Sequence, residues 1–233
     1  MRIFLLLIII FPFYLFGEEY QQLISSYYIS IAKHDANVRY NLELASEKIN
    51  GKILKQGEIF SFNKVVGEGS VENGFKFASV YFADEVINEP GGGLCIAASG
   101  IFNAFLKAGF KIVQRKKHSR LVSYIQPGLD ATISYGKTDL KMKNISKNEV
   151  LIESKLIGDK IIFKLYSKEK LNFEYEPRTE VTEETYHQIS EEKYNSGKLI
   201  YVYRDRFQNK EFIESEFLYT DYIRPIYFKN QKR

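Results

Sequence analysis

The chain has 233 residues, enough for one domain of ordinary size or one domain with an appendage. Its 33 basic and 29 acidic residues leave a net charge of +4 with no basic stripe, which removes nucleic acid from the expected partners. A hydrophobic share of 45% beside 27% charged residues is ordinary for a globular protein.

The first residues read as a targeting segment. Met1 and Arg2 lead into an apolar run from Ile3 to Phe16, and Gly17 precedes Glu18 and Glu19. This is the charged, apolar and small-residue order of a secretory signal, and the run is short of the ~20 residues that span a bilayer. Residues 1–17 are therefore expected to be a signal peptide, and the protein to be exported to the periplasm or cell envelope. Leu15 is a poor residue near the cleavage point, so an uncleaved membrane anchor is the alternative. No cysteine stands near Gly17, so lipid anchoring is not expected.

Beyond this segment, Leu23, Tyr27 and Ile31 recur at a spacing of four, which predicts a helix within 18–35. Val38, Leu42, Ala45 and Ile49 predict a second helix that stops at Asn50-Gly51. Ile53-Leu54 and Ile59–Phe62 flank a Gly57 turn and predict a hairpin. Gly67, Gly69 and Gly74 fall in a loop, and Tyr81 to Ile87 reads as a short strand. Gly91-Gly92-Gly93-Leu94-Cys95 then opens a helix whose face is Ala98, Ile101, Phe102 and Phe105. Extended runs follow at 110–115, 120–125 and 131–135, with a hairpin at 151–156 and 161–166 turning at Gly158-Asp159. After about Leu171 the composition changes. Residues 174–192 read as an acidic linker or exposed loop, and 198–204 and 211–217 as two strands.

Cys95 is the only cysteine, unusual in a chain bound for an oxidising compartment. One reading makes it a small buried hydrophobe. Its setting suggests another. Glycines before a helix expose backbone N–H groups beside the positive end of the helix dipole, which favours thiolate and can hold an oxyanion or other anion. Gly91, Gly92, Gly93 and Leu94 are the candidate ligand or oxyanion residues.

A thiol nucleophile needs a base. Of three histidines, His34 and His187 read as exposed. Counting the rise of helix and strand returns the chain near Cys95 at Lys116-Lys117-His118. The same counting places Asp139 at that end and Asp130 at the far end. Asp139 is thus favoured to orient His118, and a bulge or different crossing would bring in Asp130. A solvated turn at His118, a cap at Asp130 and an ion pair at Asp139 are the plainer readings. No HExxH, CxxC or dinucleotide loop occurs, so neither metal nor cofactor is expected. The tripeptide Asn144-Ile145-Ser146 is read as a chance match to a glycosylation signal.

Several spaced motifs carry a resemblance. Asn50-Gly51, Gly57–Asn63 and Val66-Gly67 are similar to the opening of the VanW family domain. Gly91–Cys95 with Phe102-Asn103-Ala104 resembles its glycine–cysteine motif. Arg115, His118-Ser119, Val122, Tyr124, Pro127–Thr132, Tyr135-Gly136, Asp139-Leu140 and Asn144 continue it in order. Val202–Arg204 and Tyr222 with Pro225 resemble a tail found after this domain. The resemblance implies a bacterial envelope protein of a family named for vancomycin-resistance clusters. Members usually carry Gln directly after the motif cysteine and Ser or Thr soon after. Here Ile96, Ala98 and Gly100 stand there, which puts chemistry resting on those side chains in doubt.

The expected fold is α+β: a mixed or antiparallel sheet packed on a Cys-bearing helix, spanning 18–170, then a linker and β-rich extension over 171–233. Two functions follow. One is a cysteine-dependent enzyme acting on peptidoglycan or its peptide precursors. Its arrangement resembles papain-like and transglutaminase-like enzymes by analogy only. The other is a non-catalytic module that binds a wall component or an envelope protein through the glycine-rich loop.

Overall fold

A computed structural model describes residues 20–82, 85–184, 194–195 and 197–227. The expected signal peptide and His187 lie outside them.

The chain begins with β1 (Gln22–Ser30), where a helix was expected. A spacing of four fits one face of a helix, but as an even number it also fits one face of a strand. Burial resolves the ambiguity: Ser25, Ile29 and Ile31 are buried, whereas Leu23 is 53% exposed. Helix α1 (Ala36–Ile49) follows, capped by Asp35, whose carboxylate accepts from Asn37 N and Val38 N. Val38, Leu42, Ala45 and Ile49 form its buried face, as the spacing predicts.

The expected hairpin at Gly57 does not form. Strands β2 (Ile53–Leu54) and β3 (Ile59–Ser61) leave in different directions, β2 to pair with one sheet and β3 with another. Helix α2 (Phe62–Val66) continues from β3, and β4 (Phe77–Phe82) and β5 (Glu85–Pro90) make an antiparallel ribbon. Helix α3 (Leu94–Lys107) comes next, then β6 (Lys111–Gln114). The runs 120–125 and 131–135 are not strands. Between β6 and β7 (Lys141–Lys143) the chain is irregular apart from one bridge, Ser134 to Thr138. Strands β8 (Val150–Ile157) and β9 (Lys160–Ser167) form the expected hairpin.

Part of the expected linker is strand β10 (Glu174–Glu184). The chain ends with β11 (Tyr194–Asn195), β12 (Gly197–Gln208), β13 (Glu211–Ile223) and β14 (Ile226–Tyr227). The main sheet runs β1-β9-β8-β2, a second runs β3-β7-β6, and the tail forms β10-β12-β13. Among the described residues every strand pair is antiparallel. The fold is thus α+β with mostly antiparallel sheets.

Helix α3 is the hub because it is apolar nearly all round. Its Gly100 admits Phe163 of β9, since a Cβ there would lie 2.4 Å from the ring. Phe105 packs against Phe60 of β3 and against Phe110, with centroids 5.0 and 4.8 Å apart. Ser25 of β1 donates to the Ala104 carbonyl at 2.8 Å. The tail sheet closes onto the same body. Ile200 and Val202 are fully buried in the core, and Arg204 Nη1 donates to the Phe110 carbonyl at 2.7 Å. Asn144 is fully buried and donates to the Leu54 and Asn148 carbonyls, so its amide is used structurally. Among the described residues, no helix is long and apolar enough to cross a membrane.

Candidate active site

The glycine-rich loop is a packing device before it is anything else. A Cβ on Gly92 would lie 2.6 Å from the Ala78 carbonyl carbon and oxygen, so only glycine lets β4 pass. Gly93 has φ +99°, a left-handed conformation that glycine adopts without steric cost. Buried Asn41 of α1 pins the loop, donating to the Lys76 and Gly92 carbonyls and accepting from Lys76 N. The signal for Asn41 was a polar residue within an apolar helix face.

The loop delivers Cys95 as the second residue of α3, partly exposed. Two of the four amides expected to receive an anion are already committed. Gly91 N donates to the Lys76 carbonyl and Leu94 N to the Gly91 carbonyl, at 3.1 and 3.2 Å. The amides of Gly92, Gly93 and Cys95 have no backbone acceptor among the described residues. The open donors therefore lie nearer the sulfur than the sequence indicated.

His118 follows β6. Its Nδ1 lies 2.6 Å from Asp130 Oδ2, and its backbone N–H donates to the same oxygen at 2.7 Å. Cys95 adjoins the ring closely enough to raise its pKa, and the two line one cavity. The sulfur lies 3.8 Å from the Ile133 carbonyl. Burial alone would make the imidazole less basic. The hydrogen bond with Asp130, the neighbouring Cys95 and the charges of both outweigh it and raise the His118 pKa from 6.5 to about 9. Burial pushes the Asp130 carboxyl upward, but its bonds with His118 and the Arg115 charge hold it below 3.8.

Asp139, which strand counting favoured, is engaged elsewhere. It accepts from Ser61 Oγ at 2.6 Å and from Asn63 N at 2.9 Å, capping α2. The counting fails because the segment carrying Asp130 is irregular, and α3 rather than strand pairing positions it. Ser99 Oγ donates to the Cys95 carbonyl and accepts from Ala131 N at 2.9 Å. Asn103 Nδ2 donates to the Leu129 carbonyl at 2.7 Å. Cys95, Ser99 and Asn103 recur every four residues, so one helix face carries the thiol and the clamps for 129–131. The spacing was readable, but the polar partners of residues distant in sequence were not.

Arg115, noted in the sequence only as a motif residue, is a further part of the site. Its Nη2 lies 2.8 Å from Asp130 Oδ1 and its Nε donates to the Asp130 carbonyl at 2.7 Å. Tyr124 lies edge-on to His118 with centroids 6.4 Å apart. Burial, then the nearby Cys95 charge, raises its phenol well above 10, so it stays a neutral donor. Cys95, His118 and Tyr124 line a cavity of about 1130 Å³. His34, expected at the surface, is half-buried and lines the same cavity, its pKa lowered chiefly by burial. Among the described residues no cluster of three His, Cys, Asp or Glu side chains could hold a metal ion.

The family model described as VanW like protein matches residues 37–166, which include the glycine loop, Cys95, His118 and Asp130. The chain belongs to the VanW family. It is 38% identical over 133 residues to the uncharacterized protein YoaR of Bacillus subtilis (strain 168), covering 57% of this chain and 44% of that one. It is 31% identical over 140 residues to the vancomycin B-type resistance protein VanW of Enterococcus faecalis (strain ATCC 700802 / V583), covering 58% of this chain and 50% of that one. The chain thus spans about half the length of these curated VanW-family relatives. No solved structure matches it.

Proposed function

We propose that this VanW-family protein is an exported cell-envelope enzyme that uses Cys95 to cleave or transfer an amide in peptidoglycan or its peptide precursors. The observation that carries this reading is the line Asp130–His118–Cys95 at a cavity wall. Asp130 fixes Nδ1 as the protonated nitrogen and leaves Nε2 to the sulfur. In the resting site His118 already holds the proton the thiol gives up, and this imidazolium stabilises the thiolate. The sulfur attacks the carbonyl carbon, and the amides of Gly93 and Cys95 at the helix N-terminus receive the oxyanion. His118 then gives its proton to the departing amine, leaving a thioester. Water or a second amine, deprotonated by His118, releases the acyl group and restores the thiol.

The envelope setting is supported by the signal pattern at 1–17. The choice of a wall substrate rests on likeness to the Enterococcus vancomycin B-type resistance protein. Incubation with peptidoglycan fragments, read by mass spectrometry, tests the reaction. A new amine, an acylated Cys95 and loss of both in Cys95→Ala are expected, with His118→Ala reducing the rate ~10³-fold or more. Export is tested by N-terminal sequencing of the mature protein, which should start near Glu18. Full-length soluble protein in the cytoplasm would refute it.

A second reading is a non-catalytic module that holds a wall component or an envelope protein at the glycine loop. Ile96 favours it: this apolar side chain is 4% exposed and offers no polar group where the family resemblance implies Gln. Binding of peptidoglycan fragments that survives in Cys95→Ala, without turnover in wild type, would establish it.

A further inference from the structure

The tail sheet contributes a residue to this site from outside the matched segment. Asp221 of β13 grips Arg115 with both oxygens, Oδ1 at 2.7 Å and Oδ2 at 2.6 Å from Nη1. The side chains are 5% and 8% exposed, so the pair is screened from water. The other edge of the same guanidinium holds Asp130 Oδ1, while Asp130 Oδ2 faces His118. Tyr219, two residues earlier on β13, lies under Arg115 at 4.6 Å and donates to the Gly128 carbonyl at 2.8 Å. One unbroken chain of short contacts thus runs from β13 through Arg115 and Asp130 to His118, which lines one cavity with Cys95.

From this geometry we infer that Asp221 is a positioning residue of the Cys95 site, neutralising Arg115 so that Asp130 keeps its charge for His118. Without Asp221, a buried guanidinium would have Asp130 as its only carboxylate partner among the described residues and would draw on that charge. The inference rests on the catalytic reading for its meaning, but its test does not need turnover. Other groups facing the network are Lys117 and Tyr219 near Asp221, and Tyr124 beside His118. Burial raises the Asp221 carboxyl, and Arg115 acts against it.

The test is the ring titration of His118 by NMR in the full chain, whose three histidines can be assigned by substitution. In wild type the midpoint is expected near 9. Asp221→Asn should lower it by roughly one unit, Asp221→Glu should restore it, and Tyr219→Phe should leave it in place. A folded Asp221→Asn protein with an unchanged midpoint would overturn the inference. If Asp221→Asn does not fold, the double variant Arg115→Gln/Asp221→Asn removes both charges together. Its His118 midpoint should then stand at or above the wild-type value, and a lower one would overturn the inference. Failure of Cys95 to acylate would remove the catalytic reading while leaving these titrations to be judged on their own.

Discussion

His118 retains a proton beyond neutrality because its neighbours outweigh burial, and this has a consequence for stability. A histidine whose folded pKa rises from 6.5 to about 9 favours the folded state fully below pH 6.5. That contribution is lost as pH rises through about 9. Its upper bound is ~3 kcal/mol, less to the extent that Cys95 and Asp130 titrate with it. The stability of wild type over His118→Gln, from urea unfolding at several pH values, should therefore shrink between pH 6.5 and 9. A second residue-scale prediction concerns Ser99. Replacing it with Ala leaves the buried Ala131 N–H without its acceptor, at a cost of ~1–3 kcal/mol. It should also slow alkylation of Cys95 by iodoacetamide, because the 129–131 segment loosens. At this scale, residue type and position singled out Cys95 and His118, which the structure brings to one cavity. The choice between Asp130 and Asp139 was not legible, because it depends on Ser99, Asn103 and Arg115 contacts with residues far along the chain.

Helix α3 carries the thiol on one side and meets two sheets, so its packing and its chemistry are linked. Gly100→Ser would drive a Cβ to within 2.4 Å of Phe163. Overpacking of this kind costs ~1–3 kcal/mol, readable as a lowered unfolding midpoint. Phe102→Ala, fully buried on the same helix, should cost ~3–5 kcal/mol. Elements with local signals were legible: the apolar face of α1 and its stop at Asn50, and the β8–β9 hairpin at Gly158. Strand β1 was not, because a spacing of four serves both periods. Nor were the different destinations of β2 and β3, since each short strand takes its place from a partner about 80 to 100 residues away.

For the whole molecule, the tail is structural support for the core. Ile200 and Val202 are fully buried, and Arg204 covers the Phe110 carbonyl. Ending the chain at Leu171 should therefore lower the midpoint of thermal unfolding and broaden the transition, measured by circular dichroism. An unchanged, sharp transition would show that residues 20–171 are self-sufficient. The pairing of β1 with β9 has a temporal consequence. A ribosome releases Gln22 long before Ser167, yet these residues face one another in the sheet. The first strand of this sheet must wait, unpaired, for the last. Asp221 is made later still. During synthesis the nascent chain thus carries Cys95 for more than a hundred residues before its electrostatic support exists. Contacts this distant in sequence are slow to close. The thiol is placed early in the chain and its surroundings are completed late, so reactivity follows completion of the fold.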